Sequence, residues 1–80
     1  MITIESLKGK QFHQFPLEVR ELISDVQMKF GPRVGTAFQK YLEGQAARAH
    51  ELSAEVCEYA AEHAYFRGIE LKFPEHRFVA

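Results

Sequence analysis

Four glutamates in the second half of the chain are spaced to give one helix face a strong negative charge: Glu51, Glu55, Glu58 and Glu62. Steps of four, three and four residues bring side chains onto the same face of an α-helix. No lysine or arginine between Ala49 and Phe66 neutralises them. Like charges at this spacing disfavour a helix by about 0.2–0.5 kcal/mol per pair, and a merely solubilising face more often mixes signs. We interpret the four as a docking surface for a basic partner, with an ordinary solvated face as the alternative.

The residue types used in catalysis are present, but not in the arrangements that catalysis requires. The serines and the single Cys57 lie in no nucleophile motif. His50, Cys57 and His63 are separated by seven and six residues, so no two of them have the i, i+4 spacing of helical metal ligands. The sequence therefore predicts a protein that is not an enzyme and needs no metal and no cofactor.

A second functional hypothesis is nucleic-acid binding. Ten Lys and Arg against eleven Asp and Glu give a net charge of -1, which argues against a general polyanion binder but not against a local basic patch. A small dimeric nucleic-acid-binding regulator would use five side chains that are able to contact phosphates or bases: Lys8, Lys10, Arg33, Gln39 and Lys40. A third hypothesis is a subunit of a hetero-oligomeric assembly.

The bulk composition indicates one small globular domain spanning residues 1–80. Hydrophobic residues make up 46% of the chain and charged residues 26%, which excludes a disordered composition. One cysteine allows no intrachain disulfide, and the first residues do not have the pattern of a signal peptide. With no apolar run of the roughly 20 residues that cross a bilayer, we expect a soluble, cytoplasmic protein.

The first helix predicted by the periodicity covers about residues 16–30. Pro16 suits the first position of a helix, and Gly31-Pro32 is a strong stop and restart. The apolar residues between them recur at helical spacing: Val19, Leu22, Ile23, Val26 and Phe30.

A long second helix is predicted over about residues 33–67. An apolar stripe with helical spacing runs along it, formed by Val34, Phe38, Tyr41, Gln45, Leu52, Val56, Tyr59, His63 and Phe66. Because the phase of this stripe is unchanged across Gly44, we expect one continuous helix that ends at Gly68. The alternative is a break at Glu43-Gly44, which would give a three-helix protein.

The two ends of the chain read as short extended segments. Residues 2–5 and 69–73 alternate apolar and polar side chains, and we expect them to pair as a small β-sheet. Phe78 and Val79 are candidates to anchor the tail. The predicted fold is thus mainly α, with a short amphipathic helix packed on a long helix.

The predicted lengths of the two helices imply a homodimer. At ~1.5 Å per residue the first helix is about 22 Å long and the second about 52 Å, so the first covers less than half of the second. The long helix also carries a seam of small side chains that would let a second helix approach closely. The predicted dimer interface is Ala49, Leu52, Ser53, Val56, Cys57, Ala60 and Ala64. A compact fold with all of these residues packed within one chain is the alternative.

These inferences give the leading functional hypothesis. It is a non-enzymatic protein-interaction module, a small dimeric regulator or inhibitor that docks on a larger protein partner of unknown identity through the acidic helix face.

Overall fold

The computed structural model of the chain describes residues 1–71 and Phe73. These residues form three α-helices and a two-stranded sheet, in the order β1 (Ile2–Thr3), α1 (Leu17–Phe30), α2 (Pro32–Leu42), α3 (Ala54–Phe66) and β2 (Ile69–Glu70). Short 3₁₀ segments cover Ile4–Leu7, Phe12–Gln14 and Ala46–Glu51. The predicted mainly α fold class is confirmed.

Helix α1 lies where the periodicity predicts it. It covers Leu17–Phe30, with Pro16 as the N-cap, and Gly31 adopts a positive φ of 103° at its end. Its buried side chains are Val19, Leu22, Ile23 and Val26, all members of the predicted stripe. The helix turns directly into α2, which begins at Pro32.

The continuous helix predicted over residues 33–67 is wrong. Helix α2 ends at Leu42, a 3₁₀ segment follows, and α3 begins only at Ala54. The longest principal extent of the molecule is 34 Å, too short for a rod of about 52 Å. The three-helix alternative is the one observed.

Gly44 breaks the predicted helix because it takes a backbone conformation that side-chain-bearing residues avoid. Its φ is +113°. The Gln45 N–H donates to the Lys40 carbonyl, and the Gly44 N–H donates to the Tyr41 carbonyl, each at 3.1 Å. This pair of bonds is the Schellman arrangement, which satisfies the last carbonyls of a helix and ends it.

Helix α3 has its own start signal. The side-chain oxygen of Ser53 accepts a hydrogen bond of 3.2 Å from the backbone N–H of Val56. Ser53 is therefore the N-cap of α3, a position at which serine stabilises a helix by about 1 kcal/mol relative to alanine. Glu55 in the first turn adds a favourable interaction with the helix dipole.

One core lies between the three helices and the terminal strands. Helices α1 and α2 pack closely where Gly35 faces Gln27, since a Cβ at residue 35 would lie 2.7 Å from the Gln27 Cβ. The largest fully buried side chains are Leu7, Val19, Leu22, Val26, Phe38, Leu42 and Leu52. Phe73 packs on this core, stacked on the Tyr41 ring at a centroid distance of 5.4 Å.

The predicted pairing of the two ends is confirmed, and the pairing is parallel. Ile2 lies opposite Ile69, and Thr3 lies opposite Glu70. The Ile2 N–H donates to the Gly68 carbonyl at 3.0 Å, so the residue that follows α3 is held against the start of the chain. The second strand is shorter than the predicted 69–73, and Phe78 and Val79 lie outside the described residues.

An ion pair joins the end of α3 to the middle of α1. The Arg67 Nη2 lies 2.5 Å from Asp25 Oδ2, and the Arg67 Nε lies 4.0 Å from Glu21 Oε1. At the other end of the same contact, the Tyr59 ring meets the Phe30 ring edge to face at 5.4 Å. Helix α3 therefore runs antiparallel to α1.

Candidate functional site

The outward face of α3 carries three of the four predicted partner-binding glutamates. The opposite face of this helix is apolar, and it buries Val56, Cys57, Ala60 and Ala64 in the core. Because a helix that buries one stripe turns the other outward, Glu55, Glu58 and Glu62 are all exposed. Their spacing of three and four residues places them side by side.

These three carboxylates are not neutralised within the described part of the chain. No salt bridge to any of them occurs among the described residues, whereas Glu21, Asp25 and Glu43 each have a cationic partner. Lys29 on α1 reaches this side of α3, but its ammonium lies over the Tyr59 ring, 5.4 Å from the centroid. The face is therefore a local concentration of negative charge on a chain whose net charge is only -1.

Glu51 does not belong to this face, and its predicted place beside the other three is corrected. It lies in the 3₁₀ segment Ala46–Glu51, ahead of the Ser53 cap. Its carboxylate accepts a 2.7 Å hydrogen bond from Arg48 Nη1. The break between α2 and α3 thus removes Glu51 from the helix that carries the other glutamates and gives it a neutralising partner.

Sequence reasoning missed two aromatic residues that extend the acidic face. Tyr65 and Phe66 end α3 with 76% and 74% of their surface exposed. They lie three and four residues after Glu62, the spacing that brings side chains together on a helix. The sequence does contain a signal, two adjacent aromatic residues close to Gly68, but the helical periodicity places Phe66 in the apolar stripe that is predicted to face the core.

Most residues of the predicted dimer interface lie in the core of a single chain. Within one chain the exposed fractions are small for six of them: Ala49 1%, Leu52 2%, Val56 3%, Cys57 5%, Ala60 0% and Ala64 0%. The seventh, Ser53, is exposed and caps α3. Because the short helices and the 3₁₀ segment fold around this seam, the packing argument for a dimer is wrong. The oligomeric state itself stays a prediction.

The residues of the nucleic-acid hypothesis are only partly brought together. The Gly9 N–H donates to the Glu43 carbonyl at 3.1 Å, which holds the turn that carries Lys8 and Lys10 against the end of α2, one turn from Lys40. Arg33 lies at the other end of α2.

Two of these lysines are also neutralised. Lys8 Nζ lies 3.4 Å from Glu5 Oε1, and Lys40 Nζ lies 3.6 Å from Glu43 Oε1. Gln39 donates its amide to Glu43 at 3.0 Å. A groove of about 310 Å³ beside this end of α2 is lined by Gln11, Phe12, His13, Gln39, Lys40 and Glu43. The arrangement mixes both signs of charge, and the described residues form no basic surface that is continuous with Arg33.

Cys57 and His63 occupy packed positions rather than a reactive site. Burial raises the pKa of the Cys57 thiol to about 11, so near neutral pH it stays a small uncharged core residue. The His63 ring stacks on Tyr59 with centroids 4.1 Å apart. In residues 1–71 and Phe73, no three His, Cys, Asp or Glu side chains gather as they would to hold a metal ion.

No helix within the described residues is both long and apolar enough to cross a membrane. Compared with known proteins, the chain matches no protein-family model, no curated protein and no solved structure. The function must therefore be argued from the surface itself.

Proposed function

We propose that this protein is a non-enzymatic interaction module that binds a basic surface of a larger protein through the outer face of α3. The observation that carries the proposal is the row formed by Glu55, Glu58 and Glu62, exposed and without a cationic partner in the described part of the chain. A helix bears a cost for like charges at this spacing, and a basic partner removes that cost on binding.

The packing of α3 supports this proposal, because the side chains that hold the helix in the core lie on the side opposite the glutamates. Val56, Ala60 and Ala64 hold α3 from its opposite side, and Arg67 attaches its end to α1. The outer face is therefore held on a packed element, so a partner meets carboxylates that are already positioned. Preorganised charges chiefly raise the association rate and select the partner.

A protein of this size regulates a larger partner by masking part of the partner's surface. Bound to a basic patch, it hides that patch from whatever else the partner binds, which is the action of a small inhibitor or regulator. The proposal requires no second copy of the chain, because the seam predicted to form a dimer already lies in the core.

The test compares what three versions of the protein capture from host extract. The reversal variant carries Glu58→Lys and Glu62→Lys. Glu55 is left intact because it lies in the first turn and favours the helix dipole. The matched control carries Glu5→Lys and Glu70→Lys, which also reverses two exposed carboxylates, both of them outside the α-helices. Circular dichroism and denaturant unfolding verify that all three are folded.

The proposal predicts a basic protein that is retained by the wild type and by the Glu5→Lys/Glu70→Lys control but lost from the reversal variant. Its retention must also fall steeply as salt is raised from low to physiological ionic strength, because exposed charges are screened over about 8–10 Å. Identical sets of captured proteins for wild type and reversal variant would mean that the row is only solvated surface.

A further inference from the structure

The acidic row on α3 ends in an apolar patch, and together they define the kind of partner that fits. Tyr65 and Phe66 are exposed to 76% and 74%, and their rings meet edge to face with centroids 5.7 Å apart. Both follow Glu62 by one helical turn. Large aromatic side chains that are solvent-exposed and clustered are typical anchor residues of protein interfaces.

We propose that the partner binds as an amphipathic helix, with basic residues against Glu55, Glu58 and Glu62 and an apolar end against Tyr65 and Phe66. This inference rests on the proposed function and adds to it the partner's secondary structure and the order of its side chains. The apolar patch alone does not identify the molecule that covers it. The patch is continuous with three carboxylates, however, so the partner with complementary charge is one that carries basic residues beside its apolar ones.

The dimensions of α3 give the spacing that the partner needs. Glu55 to Glu62 spans seven residues, which is about 10 Å at 1.5 Å per residue, and the aromatic pair lies about 5 Å further along the axis. A helix lying alongside matches this with basic residues over two turns and one or two apolar residues in the next turn. Helix-on-helix recognition commonly uses such i, i+3, i+4 and i+7 contacts.

The residue after the aromatic pair does not disturb this arrangement. Arg67 would place a positive charge beside the apolar end, but its guanidinium is directed toward α1, 2.5 Å from Asp25. It also donates to the His63 carbonyl at 3.4 Å. The charge that a basic helix would meet at this end is therefore already paired.

The test uses two synthetic helical peptides of about 15 residues. Both carry lysines at positions i, i+3 and i+7. The first carries two leucines one turn beyond the last lysine, and the second carries serines there. Fluorescence anisotropy measures the binding of each peptide to the wild type, to Tyr65→Ser/Phe66→Ser, to Glu58→Lys/Glu62→Lys and to Met28→Ser. The last is the control, because Met28 is an apolar residue that is 84% exposed on α1.

The inference predicts that wild type binds the leucine peptide at least about tenfold more tightly than the serine peptide, as expected for buried anchor residues. The aromatic variant should lose this difference, the glutamate variant should lose both peptides, and Met28→Ser should behave as wild type. Equal affinity of wild type for the two peptides, both salt-dependent, would overturn the aromatic anchor and leave the acidic docking surface standing. No binding of either peptide would count against both proposals.

Discussion

The backbone N–H of Gly9 donates a 3.1 Å hydrogen bond to the carbonyl oxygen of Glu43. This bond joins the first turn of the chain to the point where α2 ends. Gly44 follows at once, with φ +113°. A Cβ added to Gly44 would lie 3.8 Å from the Gly9 nitrogen and from the Lys8 Cγ, an ordinary van der Waals contact. The end of α2 is thus held both by its own cap and by a contact with the N-terminal segment.

Replacing Gly44 with alanine should destabilise the protein. A non-glycine residue held at this φ costs about 1–3 kcal/mol of backbone strain. If a continuous helix ran through this position, Gly44→Ala would instead stabilise the protein, since alanine is about 1 kcal/mol more favourable than glycine inside a helix. Urea unfolding of Gly44→Ala beside Gln45→Ala, an exposed neighbour without a positive φ, measures the difference. A more stable Gly44→Ala protein would contradict the observed break.

The contact of α1 with α2 at Gly35 makes a second prediction. A Cβ at this position would lie 2.7 Å from the Gln27 Cβ and 3.1 Å from its Cα, so the helices must separate. We expect Gly35→Ala to lose about 1–2 kcal/mol of stability, because overpacking outweighs the gain in helix propensity. Thr36→Ala, on the exposed side of α2, is the control for propensity alone.

The contact between Gly35 and Gln27 also predicts that shortening the Gln27 side chain does not restore the stability that Gly35→Ala loses. Gln27→Ala keeps the Cβ and Cα that cause the clash, so the Gly35→Ala/Gln27→Ala protein should be no more stable than Gly35→Ala. Full recovery in this double variant, measured by urea unfolding, would show that the end of the glutamine side chain limits the approach instead.

The Asp25–Arg67 ion pair should couple α1 to α3 measurably. Its side chains are 32% and 26% exposed, so part of the interaction is shielded from water. A double-mutant cycle with Asp25→Asn and Arg67→Gln should give about 0.5–1 kcal/mol, falling with added salt. The Glu5–Lys8 pair, exposed to 75% and 57%, provides a control cycle for which we expect a coupling near zero. Equal couplings in the two cycles would refute the role of burial.

The buried Cys57 predicts slow thiol chemistry in the folded protein. Burial raises its pKa from 9.0 to about 11, so at pH 8 the reactive thiolate is about a hundredfold rarer than for an unburied thiol. An aromatic disulfide reagent should therefore modify the native protein slowly and the urea-unfolded protein at once. Cys57 is the only cysteine, so the signal is unambiguous. Fast stoichiometric labelling of the native protein would exclude this environment.

The same pKa shift links stability to alkaline pH. The folded state favours the neutral thiol, so its contribution is complete below pH 9 and is lost as the pH rises through 9 toward about 11. Burial, and secondly the charge of Cys57, also raise the pKa of Tyr41, which acts in the same direction. Cys57→Ala should therefore show a flatter loss of unfolding free energy over this interval than wild type. Parallel curves would mean that the thiol is not involved.

The helical periodicity predicted most of the buried positions correctly but not the path of the chain. Tyr41 and Leu52 are eleven residues apart, which is close to three turns of an ideal helix. The stripe therefore keeps its phase across the break, although both residues simply face one core from different elements. Gln45, the polar member of the stripe between them, is exposed. The local stop and start signals, Gly44 and Ser53, were in the sequence and were outweighed by this coincidence.

The candidate site was predicted only in part, because helical spacing places residues together only when they belong to the same helix. Glu55, Glu58 and Glu62 lie within one helix, so their spacing was sufficient to place them together. Glu51 required knowledge of where α3 begins. The exposure of Phe66 required knowledge of which residues of the stripe the other helices cover, and this depends on the packing of α1 against α3.

The sequence by itself determined the helical class, the position of α1, the end of α3 shortly before Gly68 and the extended character of the two termini, because each depends on local conformational preference or on a short alternating pattern. The tertiary structure alone decided that the long stripe folds back at Gly44 and that the small residues of α3 pack within the chain. It also decided that Tyr65 and Phe66 remain in water. The physical reason is that hydrophobic periodicity indicates which residues of a segment are buried, whereas the residues that pack against them are determined only by tertiary contacts between distant segments.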